Sequence, residues 1–227
     1  MPNVEKVAII GSSSYLSKEI KNELTGFNVI EFGREVECDK NRIDVTNISS
    51  LYIKEIFSYN YNIYIFNLGL ILPKNIIELS ENEIFDSLKI NALFTICSCE
   101  YILKSNNKAR IFIIGSESGR KGSFDTTYFL SKTMLRSYVK QRYLHSQEQQ
   151  ILLISPSTIA DSKMTLSRDD KERLKTYALD HPKGCFLSNK EISKYLGDII
   201  KNKSTYFSNT EIEINGGKFA RMKYPQS

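Results

Sequence analysis

Val7-Ala8-Ile9-Ile10-Gly11-Ser12-Ser13-Ser14-Tyr15-Leu16-Ser17 is the stretch that decides the fold. Four consecutive apolar residues read as a buried strand. Gly11 permits a tight turn because it carries no Cβ. A helix follows, with Leu16, Ile20 and Leu24 on one face and Gly26 as its stop. A turn placed between strand and helix presents main-chain N–H groups at a helix N-terminus, which attracts a phosphate-bearing ligand. Ser12, Ser13 and Ser14 add small hydroxyl donors. The same residues would serve equally as an ordinary serine-rich helix cap.

Working outward, strand and helix signals alternate along the chain. Asn28 to Phe32, Ile63 to Phe66, Ala109 to Ile114, Ile151 to Ile154 and Glu211 to Ile214 read as strands, the fourth stopped by Pro156. Ser80-x-x-Glu83 is a capping box that opens a long helix through about Leu103. Ser167-x-x-Asp170 is expected to cap a short helix. Ser188-x-x-Glu191 caps another, with Ile192, Tyr195, Leu196, Ile199 and Ile200 as its apolar face. The alternation predicts an α/β fold: a doubly wound, Rossmann-type parallel sheet with helices on both faces. The length of 227 residues suits a single domain over 1–227. Residues 162–184 are the least core-like, which places a substrate-facing loop at about 160–186.

Composition narrows the class. The chain is 41% hydrophobic and 25% charged, with a net charge of +5 spread along its length. No apolar run reaches the ~18–20 residues of a membrane span, and the N-terminus enters a strand without a signal-peptide core, so a cytoplasmic location is expected. There is no arginine-rich block and no interleaving of basic and aromatic residues, so nucleic acid is not an expected partner. Cys38, Cys97, Cys99 and Cys185 lack the spacing of a zinc or redox site, and His145 and His181 are the only histidines. No metal is expected.

The chemistry is concentrated at Tyr128-x-x-x-Lys132, with Ser116 twelve residues upstream at the end of an apolar strand. Positions i and i+4 share a helix face. A free phenol has a pKa near ~10, too high for a base at neutral pH. The Lys132 ammonium, set beside the Tyr128 hydroxyl, would lower it. The Ser116 hydroxyl would hydrogen-bond a carbonyl oxygen. A surface Tyr and Lys on an amphipathic helix is the plainer reading of the pair alone.

Gly33-Arg34 follows the second strand. In dinucleotide-binding folds an acid at this strand end holds a ribose 2′-OH, whereas a nearby arginine accommodates a 2′-phosphate. The strand-end position here is Gly33, and Glu31, two residues earlier, is the alternative acid. NADP(H) is therefore favoured over NAD(H).

Taken together, these residues resemble the short-chain dehydrogenase/reductase family in its short single-domain branch, over nearly the whole chain. Gly11 to Ser17 resembles the family's glycine-rich turn, which implies cofactor contacts from Gly11, Ser13, Ser14, Tyr15 and Leu16. Asp44-Val45 resembles its adenine-contacting Asp. Asn67-Leu68-Gly69 resembles Asn-Ala-Gly after a strand, so Asn67 and Gly69 join the cofactor set. Asn91 matches the helix Asn of the family's proton relay. Ser116, Tyr128 and Lys132 match its catalytic residues, with Tyr128 and Lys132 also touching the cofactor. Pro156 and Ile159 fall where the family contacts the nicotinamide amide, and Asn215-Gly216-Gly217 resembles a C-terminal signature. The departures are Tyr15 and Ser17 in place of two turn glycines, Leu68 for Ala, Ser157 for Gly and Asp161 for Thr.

The resemblance implies an oxidoreductase that interconverts a carbonyl and a secondary alcohol on a small molecule. In that scheme Tyr128 transfers the proton, Lys132 tunes it and holds the nicotinamide ribose, Ser116 orients the substrate oxygen and Asn91 holds a relay water. It also implies a homodimer or homotetramer through the helices at 81–103 and 125–145 and through the C-terminal segment. The altered turn motivates the alternative of a non-catalytic or regulatory nucleotide-binding protein on the same fold.

Overall fold

The structure, a computed structural model, describes residues 4–220. Residues 1–3, on which the targeting expectation partly rests, lie outside them. Six strands form one sheet: β1 (Lys6–Ile10), β2 (Asn28–Phe32), β3 (Ile63–Phe66), β4 (Arg110–Ile114), β5 (Gln150–Pro156) and β6 (Thr210–Ile214). They lie in the order β2-β1-β3-β4-β5-β6, and every neighbouring pair is parallel. This is the predicted doubly wound sheet. β5 runs through Pro156 rather than stopping before it.

The helices are α1 (Tyr15–Glu23), α2 (Ser50–Ile56), α3 (Glu81–Leu88), α4 (Phe94–Ser105), α5 (Ser118–Lys121), α6 (Thr126–Gln141), α7 (Lys163–Leu166), α8 (Lys171–Leu179) and α9 (Asn189–Lys201). Strand side chains alternate between two cores, as the pleat requires. Ala8, Ile10, Tyr64, Phe66, Ile111, Ile113, Ile151 and Leu153 face α2, α4 and α6. Val7, Ile9, Ile63, Ile65, Phe112, Ile114, Leu152 and Ile154 face α1 and α9. Burial on both faces explains why these strands are unbroken apolar runs.

Three features depart from expectation. The helix expected over 81–103 is interrupted by a π turn, Lys89–Leu93, in which the Phe94 N–H donates to the Lys89 carbonyl five residues back. Ser167 caps nothing: Ser162 caps α7, accepting from Thr165 N–H, and α8 begins after Asp170 without a side-chain cap. The outer strand that Rossmann sheets place beside the second one is reduced to one bridge, Gly33 to Arg42, because residues 37–42 are polar and form a 3-10 turn at Asp39–Asn41. β2 is therefore an edge strand.

The chain passes from β1 to β2 on one side and then crosses to β3 on the other. In open α/β sheets such a reversal forms the crevice in which ligands bind, here outside the carboxyl ends of β1 and β3.

Candidate active site

Gly11 leaves β1 with φ of +94°, and a Cβ there would lie 2.3 Å from the Asn67 carbonyl oxygen. Glycine is needed for both the turn and the close approach of the two strand ends. Ser14 caps α1, accepting from Ser17 N–H at 3.0 Å. Ser17 Oγ donates to Gly11 O at 2.8 Å, and Asn67 Nδ2 donates to Ser14 Oγ at 2.7 Å and Ser17 Oγ at 2.9 Å. Ser17 thus replaces a turn glycine without leaving an unpaired polar group. The network ties the β1 turn to the end of β3.

Ser13 and Tyr15 are exposed, Tyr15 at 49%, with Lys18 Nζ 5.8 Å from its ring centre. Leu16 buries its side chain in the core against α9, so only its main chain is available to a ligand. The N–H groups of Ser13 to Leu16 find no acceptor among the described residues.

Gly33 is buried beside Ser12, and a Cβ on it would lie 2.9 Å from Ser12 Oγ. Arg34 is exposed and makes no ion pair or hydrogen bond among the described residues. Glu31 is occupied: it pairs with Lys21 of α1 at 2.5 Å. Asp44 closes a turn, accepting from Thr46 N–H and Oγ1 at 2.9 and 2.7 Å, while Val45 packs on the core. Gly69 is exposed at the mouth of the crevice, and a Cβ on it would lie 3.0 Å from the terminal methyl of Met164. Helix α7 therefore covers this end of the crevice, a contact nothing in the spacing of Met164 announced. Pro156 O accepts from Glu117 N–H, and Ile159 bridges to Leu187.

Tyr128 and Lys132 sit on the buried face of α6. Burial pushes the Tyr128 phenol up, Ser116 approaches closely enough to pull it down, and the charge of Asp125 pushes it up again, with a net rise. The expectation that Lys132 lowers it is corrected. Lys132 Nζ lies 5.5 Å from the ring centre and is held by Leu68 O at 3.0 Å and Ile114 O at 3.2 Å. Its own pKa is pushed down to about 8 by burial. Lys132 Nζ is committed to those two carbonyls and makes no hydrogen bond to the Tyr128 hydroxyl among the described residues.

Asn91 lies in the π turn and is fully buried. Its Oδ1 accepts from Leu70 N–H at 2.6 Å, and its Nδ2 donates to Leu70 O at 2.9 Å and Ser87 Oγ at 3.1 Å. The side chain is committed to the backbone after β3. Asp125 joins the site as a further residue, and Asp three residues before a helical Tyr is an N-cap signal. Its carboxylate accepts from Tyr128 N–H and Leu72 N–H.

No protein-family model matches the chain, and no curated protein matches it. Solved structures do. A short-chain dehydrogenase family protein from Francisella tularensis superposes with a TM-score of 0.81, covering 96% of this chain and 100% of its own at 18% identity. Ligand-free aldohexose dehydrogenase from Thermoplasma acidophilum gives 0.78, covering 98% of both chains at 18% identity. A variant of the actinorhodin polyketide ketoreductase with NADPH gives 0.80, covering 94% of this chain and 97% of its own at 17% identity. The fold is that of the short-chain dehydrogenases/reductases. Within this short-chain dehydrogenase fold, Ser116 follows β4, Tyr128 and Lys132 stand on α6, and Gly11 and Asn67 meet at the crevice. No helix of the described residues is long and apolar enough to cross a membrane.

Proposed function

We propose that the protein is an NADP(H)-dependent short-chain oxidoreductase that interconverts a carbonyl and a secondary alcohol. What supports this reading is the placing of Tyr128 and Lys132 on the buried face of α6, with Lys132 Nζ 5.5 Å from the Tyr128 ring centre and Ser116 near enough to the phenol to pull its pKa down. The residues present fit a dinucleotide. N–H groups at the start of α1 that find no acceptor among the described residues suit a pyrophosphate, and exposed Arg34 beside a strand end without an acid suits a 2′-phosphate. The ketoreductase with NADPH supports the choice of cofactor by analogy of fold.

When bound, the nicotinamide supplies or accepts a hydride at the carbonyl carbon. The rest falls to this chain. In reduction, Ser116 donates a hydrogen bond to the carbonyl oxygen and stabilises its developing charge. Tyr128 gives its hydroxyl proton to that oxygen as general acid. A raised phenol pKa keeps that proton in place at neutral pH. Lys132, with two of its three N–H groups on carbonyls, retains one for a ribose hydroxyl.

The test is NADPH and NADH titration by fluorescence, then NADPH absorbance against a panel of ketones and aldehydes. Saturable NADPH binding with turnover of at least one carbonyl is expected. Absence of binding to either cofactor would overturn the reading. Binding without turnover across the panel would favour a nucleotide-binding protein on the same fold.

A further inference from the structure

The extended segment after β3 is gripped at every second residue. Lys132 Nζ donates to Leu68 O, Asn91 pairs with both backbone groups of Leu70, and Asp125 Oδ2 accepts from Leu72 N–H at 2.6 Å. The first two grips come from residues already placed in the site. The third has no role yet.

Asp125 is 2% exposed and has no cationic partner among the described residues. Its Oδ1 accepts from Tyr128 N–H at 2.9 Å and Thr127 Oγ1 at 2.7 Å. Thr127 Oγ1 meets Ser87 Oγ at 2.8 Å, and Ser87 Oγ accepts from Asn91 Nδ2. Asp125 and Asn91 are thus joined through two hydroxyls, and each holds the same segment two residues apart. A buried carboxylate is an expensive choice for a helix cap, since Ser, Thr or Asn caps about as well without a charge. What Asp adds is a second acceptor oxygen, and that oxygen reaches Leu72.

We propose that Asp125 is a positioning residue that fixes the segment 68–72 against the start of α6, and so sets Tyr128 against the cofactor side of the crevice. It acts a second way through its charge. The groups facing Tyr128 are Lys132 over the ring from its own helix, Ser116 at the end of β4 and Asp125 at the cap. Of these, Asp125 is the anion, and it opposes loss of the phenol proton. The claim about Tyr128 as proton donor rests on the proposed oxidoreductase reading, whereas the grip on 68–72 does not.

The experiment compares wild type with Asp125→Ser, which keeps a cap oxygen but cannot reach Leu72, and Asp125→Asn, which keeps the shape but turns an N–H toward Leu72 N–H. Hydrogen exchange by mass spectrometry should show peptides over 68–75 exchanging about tenfold faster or more in both variants. The α6 peptides should keep their protection in Asp125→Ser. In protein carrying 13C-labelled tyrosine, the Tyr128 resonance, assigned with Tyr128→Phe, should titrate at lower pH in Asp125→Asn. Unchanged exchange over 68–75, or loss confined to α6, would reduce Asp125 to a cap and overturn the proposal. An unmoved Tyr128 titration would overturn its electrostatic part. Neither readout needs a substrate, so a protein that turns over nothing would sink the oxidoreductase reading and leave this one standing.

Discussion

Lys132 Nζ lies 5.5 Å from the centre of the Tyr128 ring and donates instead to Leu68 O and Ile114 O. Four residues of helix bring the two side chains to one face, as the spacing requires. They do not bring the ammonium into a hydrogen bond with the hydroxyl among the described residues. The lysine here links two strand ends and the tyrosine stands under it as an un-ionised phenol.

This arrangement has a pH signature in stability. The folded-state pKa of Lys132 is about 8, depressed from 10.5. Between those values the unfolded chain binds more protons, so stability attributable to Lys132 rises with pH across that window. Below about 8 the folded protein carries the full cost of a buried cation. The melting-temperature difference between wild type and Lys132→Met should therefore move in favour of wild type by roughly several degrees from pH 8 to 10. A difference flat across that range would mean that Lys132 is better solvated than the structure indicates.

Tyr128→Phe removes a proton donor and little else, because the ring stays buried. Turnover of a carbonyl substrate should fall by about 10²–10⁴-fold, with the melting temperature within a few degrees of wild type. Stopped-flow or steady-state NADPH absorbance decides it, and wild-type turnover by Tyr128→Phe would refute the catalytic role.

Arg34 should set the choice of cofactor. Among the described residues it is unpaired, Gly33 offers no repelling carboxylate, and Glu31 is held by Lys21. Charge-assisted hydrogen bonds contribute roughly 1.5–3 kcal/mol each, so NADPH should bind about tenfold or more tightly than NADH. Arg34→Ala should erase most of that preference and leave NADH affinity nearly unchanged. Equal affinities in wild type would show that Arg34 points to solvent.

Arg110 makes a separate prediction about stability. Its buried guanidinium donates to Gln150 Oε1 at 2.9 Å, Ile200 O at 2.8 Å and Ile199 O at 3.3 Å. It thereby satisfies carbonyls at the end of α9, where a cation is favoured. Arg110→Ala should cost about 2–4 kcal/mol without changing cofactor affinity, since the residue lies at the opposite end of the sheet from the crevice. Urea denaturation measures the first and NADPH titration the second.

Much of this was legible beforehand. Strands buried on both faces leave unbroken apolar runs such as Ile63 to Phe66, and the Ser80 and Ser188 capping boxes mark helix starts by local chemistry alone. Helix α2 was equally legible through Ile53 and Phe57 on one face, and was passed over. Other features could not be read from one dimension. Glu31 looks free until Lys21 folds beside it. The π turn leaves no composition signal, because its residues are ordinary helix formers. The role of Asp125 depends on Leu72, fifty-three residues away. The cap was visible in the sequence, and the second grip was not.

The interrupted crossover helix carries one consequence for how such a site arises. Ser87, Asn91, Ala92, Thr95, Ser98, Cys99, Ile102 and Leu103 are all buried, and the π turn at Lys89–Leu93 holds two consecutive buried residues, Asn91 and Ala92. A π turn is an α-helix with one residue more than its path needs. Deleting one residue there would splice α3 directly to α4 and take away the widened turn that aims Asn91 at Leu70. In this chain the distance between an inert scaffold helix and a site-forming one is a single codon.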